Sequence, residues 1–147
     1  MGSMHRNTYL DSPKLLSADL SLKKDPQVLI AGQMAGVEGY VESAAMGIWA
    51  GLVVAARLDG RSASIPPPET AIGSLLHAVT TVPLHGAFSP MNINFGLFPP
   101  LVDNKGGKEA RRRRTAERAH QFFEMWRGEL RRVSLPAGFR PHEESRT

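Results

Sequence analysis

The sequence predicts a helix-rich α/β fold with a few strands, organised around a strand, a glycine-rich turn and a long helix in residues 28–58. Residues 28–31 form a short apolar run, which is typical of a strand covered on both faces. Three glycines follow in residues 32–40, called here the glycine turn, and apolar residues then recur at helical spacing. A strand that runs through glycines into a helix predicts an α/β arrangement.

Length and composition indicate one modest globular domain. The chain has 147 residues, 41% of them apolar, which suffices to bury a core. It contains no cysteine, which excludes disulfides, thiolate nucleophiles and cysteine-ligated metals within it. Its five histidines are scattered without metal-ligand spacing, so no metal site is predicted. With no signal-peptide pattern and no long uninterrupted apolar run, the chain is predicted to be cytoplasmic.

The segment before the glycine turn predicts two short strands. Residues 8–10 suit a strand entry, and residues 11–13 suit a turn. Leucines and an alanine alternate with polar residues over 16–22, which predicts a half-buried strand. Residues 23–26 then turn the chain into the 28–31 strand.

The long helix has two faces whose side chains differ in size. The predicted apolar stripe consists of Val41, Ala45, Ile48, Leu52 and Val53. The small-residue face consists of Ala44, Gly47, Gly51 and Ala55. A glycine in mid-helix costs about 1 kcal/mol relative to alanine, so this face predicts tight packing of the helix on a sheet.

A second helix and an aromatic loop follow. Residues 58–61 are a helix stop, the prolines at 66–68 forbid regular structure, and Glu69 and Thr70 begin a helix that ends before Pro83. Its predicted apolar face consists of Ile72, Leu75, Leu76 and Val79. Residues 88–101, the aromatic loop, are rich in phenylalanine and proline and contain two asparagines. Such a loop either positions a base or pterin ring, or packs as a lid whose asparagines bond turn backbone.

The last third of the chain is basic. Residues 105–132 contain ten Lys or Arg and four Glu, a net charge of +6, so the remaining residues carry −2. A predicted amphipathic helix over 105–133 presents one apolar face made of Ala119, Phe122, Phe123, Trp126 and Leu130. The run of Arg111, Arg112, Arg113 and Arg114 either neutralises phosphates or forms a solvated face. Residues 134–147 are predicted to be a disordered tail.

The glycine turn has a second reading besides a purely structural one. A strand that enters a helix N-terminus leaves N–H groups without intrahelical partners and a positive dipole end. Such an end accepts electron-rich groups, such as a phosphate or the N1/C2 edge of a reduced flavin.

Three stretches closely resemble the TrmFO family, the folate- and FAD-dependent tRNA uracil-5 methyltransferases. They are AGQMAGVEGYVESAA at residues 31–45, HRNTYLDSPKLL at 5–16 and FSPMNINFGLFPPL at 88–101. The related MnmG (GidA) family usually lacks the sequence found here at residues 37–43. The resemblance covers nearly the whole chain, but TrmFO-like proteins are much longer and begin with a strand-GxGxxG-helix that this chain lacks.

The resemblance implies the fold and the reaction. Residues 1–104 would be the C-terminal part of a Rossmann-type FAD-binding domain, and residues 105–133 a basic helix of that domain. The implied reaction transfers a methylene from 5,10-methylenetetrahydrofolate to uracil C5 of uridine 54 in the tRNA T-loop, with FAD as cofactor and NAD(P)H as a further co-substrate. The family's catalytic cysteines would lie in the missing N-terminal FAD-binding part, so we expect this chain to be inactive alone, whether the rest is supplied in trans or lost.

The resemblance also implies site residues. The cofactor-binding set is Gly32, Gln33, Gly36, Val37, Glu38, Gly39 and Tyr40. The nucleic-acid set is Arg111, Arg112, Arg113 and Arg114, with tRNA as the partner. His5, Arg6 and Asn7 would lie near the flavin crevice, and catalytic residues are not identified. The rival hypotheses are an MnmG-like wobble-uridine modification protein and a non-catalytic RNA-binding or assembly module.

Overall fold

Four α-helices and one 3-10 helix follow one another in the computed structural model, which describes residues 8–102 and 106–133. The α-helices are α1 (Ser12–Leu15), α2 (Tyr40–Leu58), α3 (Ala71–Thr80) and α4 (Lys108–Val133). The 3-10 helix, Gly32–Ala35, opens the glycine turn. The predicted helix-rich character is confirmed, but the described residues pair only as three isolated β-bridges and contain no longer strand.

The predicted strand over 16–22 is wrong because the chain reverses within it. Leu16 pairs with Leu22 across a turn that the Leu20 N–H closes on the Ser17 carbonyl oxygen at 2.9 Å. Asp19 stabilises the turn by accepting hydrogen bonds from the backbone N–H and the hydroxyl of Ser21. Leu20 takes a φ of 64° there and is fully buried, so core burial offsets the strain. The alternating pattern therefore marks the two arms of a reversal.

The two other predicted strands are also not formed. Residues 8–10 have no regular structure, and residues 12–15 form α1 where a turn was expected. Residues 28–31 contribute only the Leu29 side of a bridge to Ser21, and Val28 is 40% exposed. A strand buried on both faces needs neighbouring strands at its edges and packed elements on its faces, and the described residues supply only this one short pairing at an edge.

Helix α2 has the predicted extent, and Asp59 is its C-cap, with Gly60 at φ 68° directly after it. The predicted apolar stripe is wrong by a rotation about the helix axis. The buried residues are Met46, Trp49, Val53 and Ala56, whereas Val41 and Ile48 are 80% and 65% exposed. Trp49 decides this orientation, because its large ring is fully buried and its Nε1–H donates to the Ala18 carbonyl oxygen at 3.1 Å.

The small-residue face of α2 has no close neighbour among the described residues. Ala44, Gly47, Gly51 and Ala55 are exposed, and a Cβ built on either glycine would meet nothing within 4 Å. The expected tight packing on a sheet is therefore absent from this part of the chain. By length and composition alone, α2 is also apolar enough to cross a membrane, with a mean hydropathy of 1.4, although core helices of soluble proteins pass the same test.

Helix α3 confirms the predicted second helix. Thr70 is the N-cap, and its hydroxyl oxygen accepts a hydrogen bond from the Gly73 N–H at 2.9 Å. Leu75, Leu76 and Val79 are buried as predicted, whereas Ile72 is half-buried. Together with residues of α2, the 16–22 reversal and the glycine turn, they form one hydrophobic core.

Helix α4 confirms the predicted amphipathic helix but docks through few residues. Trp126 is 4% exposed, contacts Trp49 with ring centroids 6.1 Å apart, and donates to the Ser64 carbonyl oxygen at 2.7 Å. Phe123, predicted on the same face, remains 38% exposed. An apolar groove of about 740 Å³ separates α4 from α2 and α3. The predicted domain boundary at 104 and the predicted tail at 134–147 lie outside the described residues.

Candidate functional site

The glycine turn depends on glycines at three backbone positions. Gly32, Gly36 and Gly39 have φ values of 67°, 78° and 94°, which side-chain-bearing residues rarely adopt. A Cβ on Gly36 would also lie 2.4 Å from a ring atom of Phe88. The aromatic loop therefore packs directly on the glycine turn, a contact that the sequence did not indicate.

Three of the backbone amides expected to face a flavin are already bonded inside the chain. The Gly36 N–H donates to Gln33 at 2.9 Å, the Val37 N–H to Gly32 at 3.2 Å, and the Glu38 N–H to Met91 at 3.0 Å, each at the carbonyl oxygen. Met91 returns a hydrogen bond from its N–H to the Gly36 carbonyl oxygen at 3.1 Å. The donors that remain for a ligand lie further along, at the start of α2.

The start of α2 presents unbonded amides. Gly39 is its N-cap, no side chain caps it, and within the described residues the N–H groups of Gly39 and Tyr40 have no acceptor. Glu42 bends back over this end, with Oε2 at 2.2 Å from the position that a Cβ on Gly39 would occupy. A carboxylate here interacts favourably with the helix dipole, and it occupies the place that an anionic ligand would take.

The side chains of the predicted cofactor set, all within residues 32–40, differ in accessibility. Gln33, Glu38 and Tyr40 are exposed, Tyr40 by 98% of its surface. Val37 is 1% exposed and belongs to the core, so any ligand contact of Val37 must use its backbone. Glu38 does not cap α2. His5, Arg6 and Asn7 lie outside the described residues.

The aromatic loop is braced by its own polar groups. The Asn94 side chain accepts from the Gly96 N–H at 2.9 Å and donates to the Asn92 carbonyl oxygen at 3.2 Å. The interpretation in which an asparagine bonds turn backbone is thus confirmed for Asn94. Phe95 and Phe98 stack beside this turn with ring centroids 6.0 Å apart.

Three arginines of the run on α4 are exposed, and one of these three, Arg112, also packs over an aromatic ring. Arg111 and Arg113 are exposed, and Arg113 forms an ion pair with Glu117 at 3.7 Å. The Arg112 guanidinium carbon lies 5.4 Å from the Phe95 ring centroid, and Arg114 is half-buried. The run is therefore not one uniform solvated face. No cluster of three potential metal ligands occurs in residues 8–102 and 106–133.

Comparison with known proteins identifies relatives of most of the chain. A family model described as "Glucose inhibited division protein A" matches residues 1–62. The chain is 49% identical over 129 residues to the methylenetetrahydrofolate–tRNA-(uracil-5-)-methyltransferase TrmFO of Rhodobacter capsulatus, covering 86% of the chain and 29% of the relative. It is 49% identical over 126 residues to TrmFO of Geobacter sulfurreducens, with the same two coverages. TrmFO of Nitratidesulfovibrio vulgaris is 50% identical over 128 residues, 87% of the chain and 26% of the relative.

The coverage sets the scope of the relationship. The chain spans less than a third of the length of these curated relatives. The alignment nevertheless covers more than four-fifths of the chain at an identity near one half, and it spans the glycine turn and the aromatic loop. Over most of its length, the chain is therefore homologous to one segment of the TrmFO family of tRNA-modifying methyltransferases.

Proposed function

We propose that the chain is the C-terminal part of a Rossmann-type FAD-binding domain in a TrmFO-type enzyme that methylates uracil C5 in the tRNA T-loop. The observation that carries this proposal is the start of α2, where the Gly39 and Tyr40 amides have no acceptor among the described residues. Homology to folate-dependent methyltransferases supplies the reaction class. MnmG-type wobble-uridine modification is less well supported, because the relatives at 49% identity carry the TrmFO name.

The residues at this end fit the pyrimidine edge of a flavin. The amide donors and the helix dipole favour an electron-rich group, and the Glu42 carboxylate now occupies the space beside Gly39 that a Cβ would fill. When bound, reduced FAD would complete the transferred methylene to a methyl group, with folate as its donor and NAD(P)H as reductant. Residues of this chain would orient the flavin and stabilise negative charge at its N1/C2 edge. Glu42 must swing away from Gly39 for that charge to approach.

We propose that the partner completing this site is the N-terminal part of the family polypeptide. The chain spans only 29% of the relatives, and α2 exposes glycines with open space above them. Mid-helix glycines are costly unless another backbone approaches closely. The absent two-thirds of the polypeptide would supply that backbone and the FAD diphosphate site.

A substitution at Tyr40 tests the amide contact. Tyr40 is the first residue of α2, where proline is tolerated, so Tyr40→Pro deletes one amide donor without breaking the helix. In a mixture with the N-terminal part of a TrmFO protein, we expect FAD affinity to fall about 10-fold to 100-fold. This is the loss in affinity expected when one hydrogen bond to a charged group is removed. The control is Tyr40→Ala, which keeps the amide and should bind FAD like the wild type. Equal affinity of both variants would refute the contact.

We also propose that α4 contacts tRNA through its outward arginines. Arg111 and Arg113 are exposed on a segment of net charge +6. The Arg111→Glu, Arg113→Glu double variant should weaken tRNA binding and flatten its salt dependence, because each phosphate contact contributes to the slope. Lys24→Glu, at an exposed site before α2, is the control and should leave the slope unchanged. Salt-dependent tRNA binding by a chain that never binds FAD would favour the RNA-binding module.

A further inference from the structure

Arg118 on α4 is the residue that fixes the far end of the aromatic loop. Its guanidinium donates to the carbonyl oxygens of Pro99 and Pro100, the latter at 3.0 Å. Two consecutive prolines have fixed φ angles and no N–H, so their carbonyls are the only backbone groups that can anchor them. A planar guanidinium can bond two neighbouring carbonyls at once, which a lysine ammonium does less well.

The near end of the same loop is bonded to the glycine turn. Met91 exchanges backbone hydrogen bonds with Gly36 and Glu38, at 3.1 Å and 3.0 Å. Phe88 covers Gly36, and the edge of its ring system meets Tyr9 with centroids 6.1 Å apart. The start of the aromatic loop thus contacts the residues just before α2, and Arg118 bonds the end of the same loop.

The residues between the two ends form a braced connection. The Leu97 N–H donates to the Asn94 carbonyl oxygen at 3.1 Å, and the Asn94 side chain bonds Gly96. Arg112, about 1.7 helical turns before Arg118, packs its guanidinium against Phe95 in the middle of the loop. Pro99 and Met91 are therefore linked by a compact, hydrogen-bonded turn.

We infer that Arg118 is a positioning residue, which holds the aromatic loop against the glycine turn and thereby fixes the start of α2. Arg112 acts with it from the centre of the loop. The role of this start as a flavin contact rests on the proposed function, whereas the mechanical connection does not. Two arginines of the basic helix thus serve the glycine turn, and phosphate contact is left to their outward neighbours.

Backbone hydrogen exchange in the full chain tests the connection without any flavin. Arg118→Lys retains the charge but loses the two-carbonyl contact. The amide protons of Glu38 and Met91 should exchange about tenfold faster in this variant, while those of α3 in the core remain unchanged. Arg127→Lys, which alters an arginine paired with Glu124 on the same helix, is the matched control and should leave all these rates unchanged. Unchanged exchange at Glu38 and Met91 in Arg118→Lys would overturn the inference.

A second variant and a second measurement separate positioning from general destabilisation. If Arg118→Lys also accelerates exchange in α3, Phe95→Leu replaces it, because that change removes the ring contacts with Arg112 and Phe98 in the middle of the loop and leaves Arg118 in place. It too should accelerate Glu38 selectively, and uniform acceleration would refute positioning. In the mixture with the N-terminal part, Arg118→Lys should shift the bound flavin's absorbance. If Glu38 and Met91 exchange faster selectively but even the wild-type mixture binds no FAD, the link between Arg118 and the glycine turn is supported and only the flavin contact is refuted.

Discussion

Single residues show where the local sequence dictates structure in this chain. Gly73 is required by a contact, because a Cβ there would lie 2.0 Å from the Pro67 carbonyl oxygen. Thr70 could be predicted as a cap from the sequence, since a threonine before an apolar helical pattern is a typical helix start. The Gly73 contact could not, because it depends on how the three prolines fold back over α3.

Replacement of Gly73 measures that contact. We expect Gly73→Ala to lower the free energy of unfolding by about 1–3 kcal/mol, the usual cost of overpacking, as measured by denaturant unfolding. Gly47→Ala is the matched control: it lies within α2 with open space around it, and should raise the free energy by about 0.5–1 kcal/mol. Equal stability of the two variants would contradict the described packing around Pro67.

The Asp19 carboxylate makes part of the stability dependent on pH. Burial raises its pKa, but hydrogen bonds from Ser21 and Arg57 outweigh that effect, so its pKa lies below the ordinary 3.8. Arg57 also forms an ion pair with Asp19 at 2.5 Å and donates to the Pro26 carbonyl oxygen. A lowered pKa stabilises the fold above the ordinary value, and this contribution is lost as the pH falls through the folded-state pKa.

The pH dependence follows from that sign. Asp19→Asn should be less stable than the wild type at neutral pH, and the difference should shrink as the pH falls below about 4. Unfolding by denaturant at a series of pH values measures it. A difference that stays constant down to pH 2 would show that the Asp19 charge contributes nothing.

The helices could be predicted because periodicity and caps are local, whereas the strands could not. Helices α2, α3 and α4 arise where the sequence indicates them, but α2 is rotated relative to its predicted stripe. Trp49 is buried because of partners distant in sequence, Ala18 and Trp126, which periodicity does not reveal. Residues 28–31 match a strand pattern that needs neighbours, and the described residues lack them.

Helix α4 should depend on one aromatic anchor. Trp126 makes its principal buried contact, so Trp126→Ala should cost about 3–5 kcal/mol and release the helix from Trp49. Tryptophan fluorescence of Trp49 during unfolding reports both effects. Met125→Ala, at a neighbouring site that is 57% exposed, should change stability by less than about 0.5 kcal/mol. Equal effects of the two changes would mean that α4 does not dock through Trp126.

Among the described residues, the molecule leaves a large part of its longest apolar helix uncovered. Its core includes residues of α2, α3 and the 16–22 reversal, yet α2 exposes a glycine face and four large aliphatic side chains, Val41, Ile48, Val54 and Leu58. In the candidate site, the position could be predicted from the sequence, but the hydrogen bonding could not. Sequence resemblance indicated the glycine turn, but only the structure shows that amides 36–38 are bonded internally, whereas those of Gly39 and Tyr40 have no acceptor among the described residues.

The glycine face provides a test of assembly. Gly51→Leu should raise the free energy of unfolding of the isolated chain by about 0.5–1 kcal/mol, because nothing lies within 4 Å of that position and leucine favours a helix more than glycine does. It should abolish association with the N-terminal part of a TrmFO protein, measured by analytical ultracentrifugation, since a leucine blocks close approach of another backbone. Gly128→Leu on α4, which also has open space, is the control and should associate normally. Normal association of Gly51→Leu would place the partner elsewhere.

Flavin binding by the purified chain, alone and mixed with the N-terminal part of a TrmFO protein, tests the proposed role most directly. Absorbance and fluorescence quenching of FAD report the bound form. We expect FAD to be retained only in the mixture, because the proposed site would take amides and a helix dipole from this chain and the diphosphate site from the partner. FAD retained by the chain alone would contradict the view that its site is incomplete, and FAD bound in neither sample would contradict the flavin contact itself.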